Sequence, residues 1–225
     1  MIGRLFRVCR GWVPGGRAEF HEAMDAADAF VREASEDRRL FVLDFLLEVV
    51  RNDLKYDQLT KILYRRGVEP WLWPPFPPVC PDGEGSRIEV FPGEPRERLV
   101  SLADECVVVV PWDRRRLRSS VETVGAQGFE FDDRNHRAWY FVPLDICWVF
   151  NGKHSIAAGV GLRRGHIRAF ECDVSVLFDH VRTDGACWYS RHSGERLGAL
   201  CDFRIGVLFE LARKRRELAP RSSPS

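Results

Sequence analysis

The sequence predicts an α+β fold (mixed α/β), with an N-terminal helical layer ahead of a core of strands and helices. Three observations predict it. Apolar residues recur at helical spacing between about 16 and 66. A proline-rich break follows from about 69 to 97. From Cys106 onward, β-branched runs alternate with amphipathic segments.

The helical region holds three expected helices. Ala18 to Ala34 is amphipathic. Ser35 caps the next, with Glu36 and Asp37 in its first turn and Leu40, Leu43, Leu47 and Val50 on one face. Asp57 to Arg66 forms a third, which Gly67 ends. Such a layer packs on a core, or binds a partner as a helix bundle. The run Pro70-Trp71-Leu72-Trp73-Pro74-Pro75-Phe76-Pro77-Pro78 excludes helix and reads as an ordered connector on the surface of a domain.

In the core, Val107–Val110 reads as a buried strand ended by Pro111. Arg116 to Gln127 reads as a helix with Leu117, Val121 and Val124 on one face, stopped by Gly128. Phe129 to Phe131 is a candidate short strand. Asp133-Arg134-Asn135 supplies a turn before strands at Ala138–Val142 and Leu144–Phe150. Ser155–Leu162 is a helix rich in small residues, and Ile167–Glu171 a further strand, with Val174–Phe178 strand or helix. Turns at Thr183-Asp184-Gly185 and His192–Glu195 flank a strand at Ala186–Ser190, and Phe203 to Arg216 forms the last helix. The boundaries that follow are a helical region at 1–68, a connector at 69–105, a core with its C-terminal extension at 106–218 and a disordered tail at 219–225.

Hydrophobic residues make up 45% of the 225, enough for a substantial core. Lys plus Arg (34) nearly equals Asp plus Glu (33), which excludes a globally basic nucleic-acid binder and leaves room for a local basic patch. Arginine clusters stand at 114–116, 163–164 and 213–216. Arg pairs with phosphate in bidentate fashion, although charge runs are usually solvated surface. Seven cysteines, at 9, 80, 106, 147, 172, 187 and 201, include no CxxC pair and several lie in apolar runs. They read as reduced, buried thiols. No signal peptide is visible, and the most apolar stretch, Leu40 to Val50, is too short to span a bilayer. A cytoplasmic protein without membrane contact is expected.

The segment that points to function is Phe150-Asn151-Gly152-Lys153-His154-Ser155-Ile156-Ala157-Ala158-Gly159. An apolar strand stops at a sharp Asn-Gly turn and a helix starts at once. Gly permits positive φ and close approach of a ligand to backbone. A helix start presents amides at its positive end, which makes an anion site. Lys153, His154 and Ser155 add a cation, a proton donor and a hydroxyl. Asn-Gly is also the commonest tight-turn dipeptide, and Ser or His near a helix start is an ordinary cap. Asp132, Asp133 and His136 share a turn, but nothing fixes their spacing to His154, so no metal site is assigned. There is no P-loop, GxSxG, HExxH or Rossmann fingerprint.

This box resembles that of the ParB/sulfiredoxin superfamily, whose members carry Gly-x-x-Arg or Gly-x-His-Arg between a strand and a helix and bind nucleotide phosphates there. The order of elements is similar too, from Val107–Val110 through the Arg114–Val124 helix, the Ala138–Phe150 strands and the box to His166–Glu171. The likeness covers roughly Cys106 to Val176, and it identifies 106–218 as a ParB/sulfiredoxin-like core with added C-terminal strand and helix. Gly152 matches the family glycine and His154 the sulfiredoxin-type histidine. Ser155 stands where the family arginine would be, so the charge must come from Lys153, Arg163, Arg164 or the 114–118 arginines, Arg118 among them. Lys153 takes the place of sulfiredoxin's cysteine, and no ParB-type DNA-binding domain follows residue 176. The Asn-Gly-x-His-Ser form is also similar to that of an uncharacterised bacterial family.

The resemblance implies a nucleotide- or phosphate-binding protein with phosphoryl-transfer, NTPase or nuclease activity. His154 and Lys153 would be catalytic, and Asn151, Gly152, Lys153, His154, Ser155, Arg163, Arg164 and Arg118 would bind the phosphate. ATP or another nucleotide with Mg²⁺ is the implied cofactor, and nucleic acid a further partner. The alternatives are a non-catalytic nucleotide- or nucleic-acid-sensing module and an interaction protein of a bacterial defence or toxin system.

Overall fold

A computed structural model describes residues 16–65, 67–69, 74–84, 86–91 and 96–219. Expectations for the first residues, Cys9, the Trp71–Trp73 stretch and the tail from 220 fall outside the described residues. The fold is α+β, with a helical N-terminal layer and a C-terminal helix.

Helix α1 (Arg17–Glu33) and helix α2 (Arg39–Tyr64) are joined by one 3₁₀ turn, Glu36–Arg38. The sequence suggested two helices where α2 is continuous. No Gly or Pro interrupts 39–64, and polar Arg51, Asn52 and Asp53 solvate a helix without breaking it. A hairpin follows, formed by β1 (Val79–Pro81) and β2 (Arg87–Glu89). Then come β3 (Arg96–Ser101), β4 (Cys106–Val108), α3 (Arg114–Gln127), β5 (Arg137–Val142), β6 (Ile146–Asn151), α4 (Lys153–Leu162) and β7 (His166–Asp173). A small antiparallel sheet of β8 (Val181–Thr183), β9 (Cys187–Ser190) and β10 (Arg196–Ala199) precedes helix α5 (Phe203–Leu218).

The main sheet runs β3-β7-β5-β6-β4. β7 with β5 and β6 with β4 are parallel pairs; β3 with β7 and β5 with β6 are antiparallel. Side chains alternate across it with period two. Val107, Ala138, Tyr140, Cys147, Val149, Ile167 and Ala169 face one core with Ile156, Ala157 and Val160 of α4. Val108, Phe141, Ile146, Trp148 and Cys172 face the other, with Leu43, Leu47 and Leu54 of α2 and Leu208 and Phe209 of α5. The sheet is thus sandwiched between α3 and α4 on one side and α1, α2 and α5 on the other.

Two further expectations differ from the structure. The stretch taken as connector contributes edge strand β3, whose Arg96, Glu97 and Arg98 read as loop because charge is how sheet edges are protected. Phe129–Phe131 is not a strand; its rings pack over His136, with centroids 5.0 and 5.9 Å away. Six described cysteines are free, five of them buried. Among the described residues, no helix is long and apolar enough to cross a membrane.

Candidate anion site at the α4 N-terminus

Strands β4 and β6 are parallel neighbours, so α3 and α4, which follow them, begin side by side at the same edge of the sheet. Ligands of α/β sheets bind beyond the carboxyl ends of such strands.

The two helix starts differ. Asp113 caps α3, its carboxylate accepting from the amides of Arg115 (2.9 Å) and Arg116 (3.0 Å). Those bonds, with Arg116 foremost, hold its carboxyl below the usual range. α4 starts at Gly152, left-handed at φ 72° and ψ 26°, with no side-chain cap. Only glycine fits there, since a Cβ would stand 2.5 Å from His136 Cδ2 and 2.9 Å from the Asn135 carbonyl oxygen.

His136 fixes the turn from below. The Asp132 amide donates to its Nδ1 at 3.0 Å, so the neutral ring carries its proton on Nε2. Nε2 then donates to Ser155 Oγ at 2.7 Å, and that hydroxyl donates to the Gly152 carbonyl at 3.0 Å. Burial lowers the His136 pKa, in keeping with a neutral imidazole. The Ser155 hydroxyl thus donates to and accepts from the turn itself, and its single proton is used there and not directed outward.

His154 bridges the two helix starts. The Asp113 amide donates to its Nε2 at 3.1 Å, which places the neutral ring's proton on Nδ1. Burial first, and the Arg116 charge second, push its pKa down. The Trp112 ring meets it edge to face at 5.1 Å, and the Arg116 guanidinium lies 5.1 Å from the centre of Trp112. Held neutral, His154 can donate a hydrogen bond from Nδ1 but is poorly suited to act as the expected acid on a phosphate oxygen.

Lys153 is only 7% exposed, and burial pushes its ammonium down to about 8. A cation in the first helical turn also opposes the helix dipole. Asn151 is exposed and pairs in register with exposed Arg137 at the start of β5.

The expected arginines do not converge here. Arg163 and Arg164 follow the C-terminus of α4, about 15 Å along the helix axis from the box. Arg163 pairs with Asp104 at 3.3 Å, and Arg164 donates to the Gly125 carbonyl at 3.3 Å. Arg118 points into solvent toward Glu122, 3.7 Å away. Arg114 binds the carbonyls that end α2, donating to Ile62 at 2.8 Å and Arg65 at 3.2 Å. Cations associated with the box are Lys153 within it, Arg116, whose charge acts on His154, and Arg137, paired in register with Asn151. Arg137 was missed because only strand pairing brings it to Asn151. Asp113 was missed as well, although an Asp just before a helix start is a cap signal.

Beside this edge lies a cavity of about 280 Å³ lined by Ile62, Arg65, Val68, Trp112, Asp113 and Arg115. A second hollow, at Glu130, Asp132, Asp133 and Arg168, is mainly acidic. Among the described residues, no group of three His, Cys, Asp or Glu side chains could hold a metal ion.

A family model described as "Family of unknown function (DUF6710)" matches residues 15–221, and the chain belongs to that family. No curated protein and no solved structure matches it.

Proposed function

We propose that the chain binds a phosphate-bearing ligand, a nucleotide among the candidates, at the N-terminus of α4. The observation that carries this reading is Lys153, a buried cation in the first turn of a helix that starts at a left-handed glycine without a side-chain cap. An anion at this helix start would find helix amides, with Lys153 in the first turn and the Nδ1–H of His154 as candidate donors. Arg116 and Arg137 supply charge in place of the arginine that Ser155 replaces. The ParB/sulfiredoxin resemblance supports the same choice of ligand and remains part of the proposal.

Binding without turnover is the version favoured. His154 is held neutral, with Nε2 already accepting a hydrogen bond, and the Ser155 hydroxyl is spent. Mg²⁺ does not fit as a protein-held ion, because Asp113 beside His154 is committed to capping α3 and, among the described residues, no group of three His, Cys, Asp or Glu side chains could hold a metal ion. No step is assigned to it. A sensing module therefore accounts for the site better than an NTPase, phosphotransferase or nuclease.

Thermal shift with inorganic phosphate, pyrophosphate, ATP and a short oligonucleotide tests the reading. Stabilisation by at least one of them is expected, weakened at least tenfold in apparent affinity by Lys153→Met. Affinity should fall as pH rises through about 8, where Lys153 loses its proton. A shift unchanged in Lys153→Met, or no shift with any of the four, refutes the site. Release of labelled phosphate from ATP, abolished by the same substitution, would restore the catalytic reading.

A further inference from the structure

Helix α2 has two apolar faces, and the chain uses chiefly one. Leu43, Leu47, Leu54 and Ile62 are buried. On the opposite side Val42, Phe45, Val49, Asn52, Tyr56 and Leu59, with Leu63 one step on, recur at strict spacings of three and four. That is an a/d seam of three heptads, the pattern by which two helices wind around each other. It is largely open: Phe45 is 57% exposed, Val49 48%, Tyr56 44% and Leu63 66%, and Phe41 beside the seam is 66% exposed. Val42 is half-buried, and Leu59 packs partly on the core under α3 and α4.

We propose that a second copy of this chain docks on this seam, with the two α2 helices antiparallel. Area is the first argument. Phe41, Phe45 and Tyr56 each leave roughly 100 Å² uncovered. With Val49 and Leu63 the apolar total is on the order of 500 Å², near the upper end for a monomer's largest patch. Two copies together approach the roughly 1,000 Å² that a specific interface requires. Self-match is the second. In an antiparallel pair Val42 meets the partner's Leu59, Phe45 meets the partner's Tyr56, and Val49 meets the partner's Asn52, so every layer contains an apolar side chain. Asn52, the one polar residue of the seam, fixes the register. Charge is the third. A parallel pair would set Glu48 against the partner's Asp53, two carboxylates at flanking positions, and the antiparallel arrangement separates them. The seam is also presented on a stiff support. Asp53 and Asp57 of α2 bind Arg204 at 3.0 and 2.6 Å, and Arg204 binds Asp202 at 2.8 Å.

Sedimentation equilibrium of the full chain across a dilution series tests this. A reversible dimer is expected, with Phe45→Glu plus Val49→Lys raising its dissociation constant at least a hundredfold at unchanged circular dichroism. Both positions are exposed, so the variant should fold. Under mild oxidant, Phe45→Cys plus Tyr56→Cys should give a disulfide-linked dimer and Phe45→Cys alone should not. A monomer at every dilution, or a dimer indifferent to the charged pair, overturns the proposal. Cross-linking by Phe45→Cys alone overturns the antiparallel arrangement.

Discussion

Replacing Gly152 by alanine should unfold the box from the inside, and the size of the effect can be worked from its surroundings. A left-handed conformation costs an L-residue about 1–2 kcal/mol. The new Cβ would also stand 2.5 Å from His136 Cδ2, 2.9 Å from the Asn135 carbonyl oxygen and 3.1 Å from His136 Cα. The obstacle is mostly backbone, so the 132–136 turn must move, at about 1–3 kcal/mol for an overpacked site. Moving it stretches the 2.7 Å bond between His136 and Ser155, for roughly 1 kcal/mol more. The expected total is about 3–6 kcal/mol, a large share of a typical stability of ~5–15 kcal/mol. Urea unfolding followed by circular dichroism measures it. Gly161→Ala is the control, on the same helix but with nothing within 4 Å of its Cβ. It should gain about 0.5–1 kcal/mol. If Gly152→Ala costs less than about 1 kcal/mol, the packed-turn account of the box is wrong.

Two further outcomes follow from the same contacts. Burial holds His136 and His154 below the usual histidine value, so the unfolded chain takes up protons that the folded chain refuses. Stability is then full above about pH 6.5 and lost as pH falls below it, by at most ~1.4 kcal/mol per pH unit for each group. A plot of melting temperature against pH from 7 to 5 should slope accordingly and flatten in His136→Gln; an unchanged slope in that variant rules out His136 as a source. Arg114→Ala should cost about 1 kcal/mol by freeing the carbonyls that end α2. Faster amide hydrogen exchange confined to residues 61–65 is the expected signature, and exchange spread evenly over the protein would contradict it.

The box was legible because each of its signals is local. An apolar strand, Asn-Gly and a small-residue helix lie within a dozen residues, and β6, Gly152 and α4 form where they read. What failed depends on distance. Arg163 and Arg164 look close to Lys153 along the chain, yet ten helical residues carry them to the far end of α4. Ser155 looks like a free hydroxyl, and only the fold brings His136 from nineteen residues away to occupy it. Strand β3 was hidden because Val100 alone of its six residues is fully buried, which leaves no alternation to detect. The α2 seam was visible in part: the helical period of 40–50 was plain, but which of its apolar residues face out required the packing.

Three features stand together at the start of α4. The Lys153 ammonium is buried, and that burial lowers its pKa. The same charge sits at the positive end of a helix, where a cation is disfavoured. That end also has no side-chain cap, although Asp113 shows one fold-step away how readily a carboxylate supplies one. A carboxylate cap at α4 would ease the cation and complete the helix, but it would fill the place an anion needs. An anion at this helix start would complement the dipole and accept from the first amides, with the Lys153 charge in the same turn. Lys153→Met should therefore weaken phosphate binding, and an unchanged phosphate-dependent rise in melting temperature in that variant would count against the proposed anion site.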